Sequence, residues 1–308
     1  MTVTTPKVRP RLRDPRSGPR MARRTPEDWV DRPFTRFSLS PLSPTIGAEV
    51  AGVSLGEDVD EELFEQLNRA LLEWKVLFFR DQKIDHEDQI AFASHWGPIE
   101  NHPFVRLNVD QPDQPEVLRL EKDENQKGTE NFWHSDVTWR RNPSLGSILR
   151  AVEVPPIGGD TLWADMAAAY DCLDEDVKGY LEGMVAEHDW VATFGRRMDR
   201  DTIERLREEF PAARHPVVRT HPETGRNVLY VNGAFTTHIV DMEPDESDDL
   251  LAYLFRQAAF PEYQCRLRWH VGDVAFWDNR STQHYASSDY YPHRRVMERI
   301  TVAGDVPY

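Results

Sequence analysis

The chain has 308 residues, a length for one large domain or two, and with 39% hydrophobic and 10% aromatic residues it can bury a substantial core. A mean hydropathy of -0.64, 29% charged residues and no apolar run near the ~18–20 residues of a spanning helix exclude an integral membrane protein. Two cysteines, Cys172 and Cys265, exclude a disulfide framework and a four-thiolate zinc site. That usage predicts a cytoplasmic protein, and the Met1 end shows no apolar signal region.

The net charge of -16 is unevenly spread. Residues 1–24 hold eight of the 37 basic residues and one of the 53 acids, Asp14; the rest carries 29 basic and 52 acidic residues, a net of -23. Such a body repels nucleic acid and anionic membranes, so neither is an expected partner. Pro6, Pro10, Pro15 and Pro19 interrupt the basic segment, which has almost nothing apolar. Residues 1–35 therefore read as a disordered basic, proline-rich tail and 36–308 as a single domain.

Past the tail, short apolar alternations broken by Pro41, Pro44, Gly47 and Gly52 predict one or two short strands over 37–55. Leu63, Phe64, Leu67, Leu71 and Trp74 recur at helical spacing and predict an amphipathic helix over 60–74. Val76-Leu77-Phe78-Phe79 reads as a buried strand, and 86–96 as a helix stopped by Gly97-Pro98. Strands are expected at 117–120 and 144–154, and helices over 165–184 and 202–210. A hairpin follows, with 217–220 and 227–231 flanking the turn at 221–226. A helix over 245–259 then precedes strands at 265–270, 274–277 and 295–302. No βαβ alternation with a Gly-rich phosphate turn is present, which disfavours a nucleotide-binding α/β fold. The expected class is mainly β, an antiparallel core with helical inserts.

Any one of the eleven histidines is more often a packing residue than a ligand; His86, His95, His188, His215 and His293 read as structural. The informative cluster is Trp133-His134-Ser135-Asp136. On a strand, residues i and i+2 share a face, so an H-x-D would present an imidazole and a carboxylate side by side. With a third ligand, two His and one carboxylate leave three octahedral positions open, as in non-haem Fe(II) oxygenases. His284 is the strongest candidate, preceding a strand on which Arg295, Met297 and Arg299 share one face. Two arginines behind a metal His would form a double anion clamp. The same pattern also fits a surface strand with its charges in solvent.

Several stretches occur together and in order: IGAEVAGVSL, VLFFRDQ, WHSDVTW, GGDTLWADMAAAYDCL, HPVVRTHPETGR, WDNRSTQHYA and RRVMERITVAGD. Through them, residues 36–308 resemble the taurine/2,4-dichlorophenoxyacetate (TauD/TfdA) family of Fe(II)- and 2-oxoglutarate-dependent dioxygenases. The resemblance implies a double-stranded β-helix (jelly roll) core and a homo-oligomer, dimer or tetramer. It implies His134, Asp136 and His284 as iron ligands, Arg295 and Thr161 holding the far carboxylate of 2-oxoglutarate, and Trp277 packing along it. It further implies O2 as the second cosubstrate, with succinate and CO2 released as the substrate is hydroxylated. Because Asp136 is a carboxylate, halogenation is disfavoured.

For the primary substrate, the resemblance implies an anionic head group on Arg299, a contact from His102, and an apolar pocket of Val137, Trp139 and Phe235. Glu130 stands where taurine-cleaving members carry an amide, Val105 replaces an aromatic hydroxyl, and Arg140-Arg141 add basic charge. These departures argue against taurine. The expected substrate is a small organic anion: a sulfonate, alkyl sulfate, aryloxy-acid or amino/carboxylic acid. The alternatives are a biosynthetic hydroxylase or desaturase of an amino-acid-like metabolite and a non-catalytic metal-binding jelly roll.

Overall fold

The computed structural model describes residues 9–12, 18–19, 21–101 and 115–308, so the expectations for His102 and Val105 lie outside the described residues. A run of four apolar residues suits a strand only if both faces are buried, and Val76–Phe79 meets that condition. Leu77 and Phe79 pack with Leu67, Leu71, Trp74 and Phe92 of the helices Glu61–Trp74 and His86–Ser94. Val76 and Phe78 turn the other way, into a cluster with Leu149, Trp163, Leu267, Trp277 and Met297.

That strand belongs to an eight-stranded sheet. Its order is Ser38–Pro41, Ala48–Ala51, Val76–Phe79, Val274–Asp278, Gly146–Glu153, Arg295–Val302 and Ile99–Glu100, with Leu118–Lys122 also paired to Arg295–Val302. Pairing is antiparallel except between Ala48–Ala51 and Val76–Phe79. A three-stranded antiparallel sheet places Thr161–Asp165 between Gln264–Leu267 and Thr282–Ala286. Trp163 and Leu267 from this smaller sheet share a core with Trp277 and Met297 from the larger one. The two sheets thus bury one face of each against the other.

Local chemistry sets the helix ends. Asp60 caps Glu61–Trp74 by accepting from the Leu63 amide at 2.9 Å. The helix expected over 165–184 is two helices, Met166–Asp171 and Glu175–Leu181. Asp165 caps the first, taking the Ala167 and Ala168 amides at 3.0 Å each. The extended backbone of Asp174 then starts the second, because aspartate favours caps over helix interiors. Strands Thr161–Asp165, Thr282–Ala286, Val185–His188, Ala213–Pro216 and Thr236–Ile239 form where the sequence pattern indicated none.

Residues 21–24 contact the domain. The Arg24 carbonyl accepts from Lys75 Nζ and from Arg226 Nη1, the latter at 2.7 Å. Its guanidinium lies 4.3 Å above the Trp74 ring and 2.9 Å from Glu73. No helix among the described residues is long and apolar enough to cross a membrane.

Candidate active site

His284 sits in the middle of the edge strand Thr282–Ala286, opposite Trp163. One backbone bridge joins it to His134: the His134 amide donates to the His284 carbonyl at 3.0 Å and the His284 amide returns a bond at 2.7 Å. The two imidazoles therefore stand side by side, with ring centroids 4.1 Å apart. The H-x-D does not lie along a strand, contrary to expectation. Only His134 is bridged, and the chain turns immediately, with Val137 at φ 46°. The turn is what brings Asp136 round to the histidines.

A β-branched residue with positive φ is strained, so something must hold it there. The buried Thr138 does much of this: its hydroxyl accepts from Asn232 Nδ2 at 3.0 Å and meets His188 Nδ1 at 3.0 Å. His215 Nε2 bonds the carbonyls of Thr138 at 2.8 Å and Arg140 at 3.0 Å. His188 and His215, two of the five histidines read as structural, brace this turn.

The ligand atoms of His134, Asp136 and His284 all lie within 4.8 Å of one another, and all three residues are buried. His134 Nδ1 is 3.0 Å from the Phe132 carbonyl, which can only accept, so the proton is on Nδ1 and Nε2 keeps its lone pair. Burial pushes both imidazoles toward the neutral form. Burial alone would raise the Asp136 carboxyl, yet Arg299 beside it holds it well below the usual carboxylate range. Two neutral imidazoles and a carboxylate form a donor set suited to Fe(II), with three coordination positions left over.

A cavity of about 370 Å³ opens over these residues. Arg295 lies in its wall, 8% exposed, and its Nε and Nη2 have no hydrogen-bond partner among the described residues. A buried guanidinium without an acceptor is costly, so its geometry calls for an incoming anion. Burial accordingly pushes its pKa down. Gly159, at φ 72°, lets the arginine pass: a Cβ there would stand 3.2 Å from Arg295 Cδ. Thr161 lines the same wall, and its hydroxyl oxygen accepts from Trp269 Nε1 at 2.9 Å, which leaves its proton to donate. Trp277 also lines the cavity, 4.9 Å from the His284 ring.

Arg299 shares this cavity, but its Nη1 donates to Asp136 Oδ1 at 2.6 Å. Val137, Phe235 and Glu130 line the cavity as expected, and Glu130 pairs with Lys122 at 3.1 Å. Trp139 does not: its ring turns away into a buried cluster and meets Phe210 edge-on at 5.7 Å. That cluster also holds Val137 and Phe235, so Trp139 packs behind the cavity wall rather than in it. Arg140 pairs with Glu100 at 3.1 Å.

Sequence reasoning missed Leu118, Leu120 and Lys122, which face the cavity from alternate positions of one strand. Period-two alternation carried that signal. Phe132, Phe194 and Met198 complete the apolar wall and carried none.

The chain matches the family described as "Taurine catabolism dioxygenase TauD, TfdA family" over residues 38–301. It belongs to the TauD/TfdA family. An "Alkylsulfatase" of Acinetobacter baylyi is 37% identical over 286 residues, covering 90% of this chain and 88% of its own. An "Alpha-ketoglutarate-dependent sulfate ester dioxygenase" of Pseudomonas putida is 39% identical over 280 residues, covering 88% and 91%. The crystal structure of a taurine dioxygenase from Burkholderia xenovorans superposes with a TM-score of 0.76 at 37% identity, covering 89% of this chain and 93% of that one. This TauD/TfdA member is a non-haem iron dioxygenase that uses Fe(II), 2-oxoglutarate and O2.

Proposed function

We propose that the enzyme hydroxylates the carbon bearing the ester oxygen of an alkyl sulfate monoester, on a jelly-roll scaffold formed by the two facing sheets. The observation that carries this reading is the charge of the cavity. Lys122, Arg295 and Arg299 supply three positive charges against two negative ones from Asp136 and Glu130. A divalent metal raises the surplus from one to three. The 2-oxoglutarate dianion and one further monoanion balance it. Sulfate monoesters are monoanions at neutral pH, whereas phosphate monoesters approach two charges. The apolar wall of Leu118, Leu120, Phe132, Phe194, Met198 and Phe235 suits a hydrocarbon body. Taurine fits poorly, because the carboxylate that could take its ammonium, Glu130, is already paired with Lys122. The names of the two sulfate-ester relatives support the same head group.

His134, Asp136 and His284 would hold the metal. When bound, Fe(II) with 2-oxoglutarate and O2 supplies the oxidising power for C–H hydroxylation, with release of succinate and CO2. Arg295 forks onto the far carboxylate of 2-oxoglutarate while the Thr161 hydroxyl donates to it. Arg299 orients the sulfate, and the apolar wall excludes water from the reacting carbon. The hydroxylated carbon then carries both OH and O–SO3⁻. Loss of the hydroxyl proton forms C=O as the C–OSO3 bond breaks, releasing sulfate and an aldehyde or ketone.

The test is a panel of matched alkyl sulfates, alkyl phosphates, taurine and aryloxyacetates, scored by succinate formed and sulfate released. Alkyl sulfates should give the highest kcat/KM, with one sulfate per coupled succinate. Equal turnover of the phosphates, or a preference for taurine, would overturn the charge-balance reading.

A further inference from the structure

We propose that Ser147 and Asn279 are positioning residues that hold Asp136 as a one-oxygen metal ligand. Asp136 Oδ2 accepts from the Ser147 hydroxyl at 2.7 Å, and Ser147 Oγ accepts from Asn279 Nδ2 at 3.0 Å. Asn279 Oδ1 in turn accepts from Trp277 Nε1 at 2.9 Å and from the Asp136 amide at 3.3 Å. All four residues are buried.

The direction of this chain is fixed. An indole N–H and a backbone amide can only donate, so the side-chain oxygen of Asn279 must face them. Its amide nitrogen therefore points at Ser147, whose oxygen must accept. The one proton of Ser147 has a single place left to go, Asp136 Oδ2. Asp136 thus arrives with Oδ2 engaged by Ser147 and with Oδ1, which Arg299 Nη1 also reaches at 2.6 Å, directed at the histidines, 4.0 Å from His284 Nε2. A carboxylate free to bind through both oxygens would take a fourth position of an octahedral metal. Three open positions are needed for a chelating 2-keto acid and dioxygen, so the Ser147 bond preserves one of them. Asn279 also ties the Asp136 backbone to Trp277, which packs against His284. One hydrogen-bond chain thereby sets the relative placement of two ligands.

The inference rests on the reading of His134, Asp136 and His284 as the ligands. The experiment is equilibrium binding of Co(II) to the metal-free full chain without cosubstrate, together with the visible spectrum of the Co(II) form. Ser147→Ala should weaken Co(II) about 10–100-fold, the usual cost of losing an outer-shell partner, and should change the spectrum as the coordination number rises. Ser147→Thr keeps the hydroxyl and should stay within about threefold of wild type, whereas the isosteric Ser147→Val should lose affinity as Ser147→Ala does. Equal affinity and identical spectra for Ser147→Thr and Ser147→Val would overturn the proposal, even if Ser147→Ala failed to fold. His134→Ala separates the two levels. If it binds Co(II) as wild type does, the ligand reading itself fails. If it loses Co(II) while Ser147→Ala does not, only the positioning role fails.

Discussion

Arg299 donates to Asp136 Oδ1 at 2.6 Å, so the side chain assigned to the substrate anion is also the partner of the metal carboxylate. The pair is nearly closed to solvent, with the two side chains 11% and 5% exposed. At this burial a charge is costly without a partner, and each member neutralises the other until ligands arrive. On the proposed reading, substrate head group and metal site are linked through one guanidinium.

That link predicts uncoupling in Arg299→Ala. Primary-substrate oxidation should fall by about 3 kcal/mol in kcat/KM or more, the range for truncating a buried charged partner. The KM for 2-oxoglutarate should change little, because the proposal gives the cosubstrate to Arg295 and not to Arg299. Succinate formed per sulfate released measures the difference. Equal losses in both would place Arg299 in the cosubstrate site.

Arg295→Lys should raise the KM for 2-oxoglutarate by about 2 kcal/mol, roughly 30-fold, because an ammonium cannot make two parallel hydrogen bonds. Thr161→Ala should act in the same direction by about 1 kcal/mol, the worth of one hydrogen bond. Initial rates at saturating primary substrate check both. An unchanged KM in Arg295→Lys removes it from the cosubstrate site.

Lys122 occupies Glu130, which otherwise could receive a substrate ammonium. Lys122→Met frees that carboxylate and lowers the cavity charge by one. The ratio of kcat/KM for aminoalkyl sulfonates to that for alkyl sulfates should rise, by about 1 kcal/mol for one charge-assisted contact at a partly exposed site. Glu130→Gln in the same background should reverse the change. A ratio indifferent to both substitutions would take the pair out of substrate recognition.

Lys75 is enclosed, its Nζ 2.9 Å from the Thr45 carbonyl and 3.0 Å from Asp165 Oδ2. Lys75→Met should destabilise the fold by about 3 kcal/mol by leaving Asp165 buried without its partner. Burial brings the Lys75 pKa down from 10.5 to about 8. Between those values the folded chain binds fewer protons than the unfolded one, so this group makes stability rise with pH over that window. Denaturant melts from pH 8 to 10.5 should lose that increment in Lys75→Met. Removing residues 1–24 should lower the melting temperature by deleting the Arg24 carbonyl that Lys75 bonds.

Much of the fold was legible where burial repeats along the chain. Val76–Phe79, Glu61–Trp74 and Arg295–Val302 announced themselves by apolar runs, helical spacing and alternation. Thr161–Asp165 and Thr282–Ala286 did not, because their mixed sequences owe their extended form to pairing with each other. The same limit applies at the site. His134, Asp136 and His284 were readable through a resemblance, but the bridge between the two histidines joins residues 150 positions apart. Nothing local marks Val137 for positive φ; that follows from the contacts of Thr138 with His188, His215 and Asn232. Trp139 was misplaced because its ring packs behind the cavity wall rather than in it. The fixed direction of the Ser147–Asn279 chain depends on residues from three separate stretches: Asp136, Ser147, and Trp277 with Asn279.

The most direct test of the central claim is an anaerobic titration of the Fe(II)-loaded full chain with 2-oxoglutarate, followed by visible absorption. A 2-keto acid chelated to Fe(II) gives a metal-to-ligand charge-transfer band. Wild type should develop this band to saturation at one equivalent, Arg295→Lys should need far more 2-oxoglutarate, and His134→Ala and Asp136→Ala should not develop it. A wild-type protein without the band, or a band undiminished in His134→Ala, would contradict the assignment of this cavity as the iron and 2-oxoglutarate site.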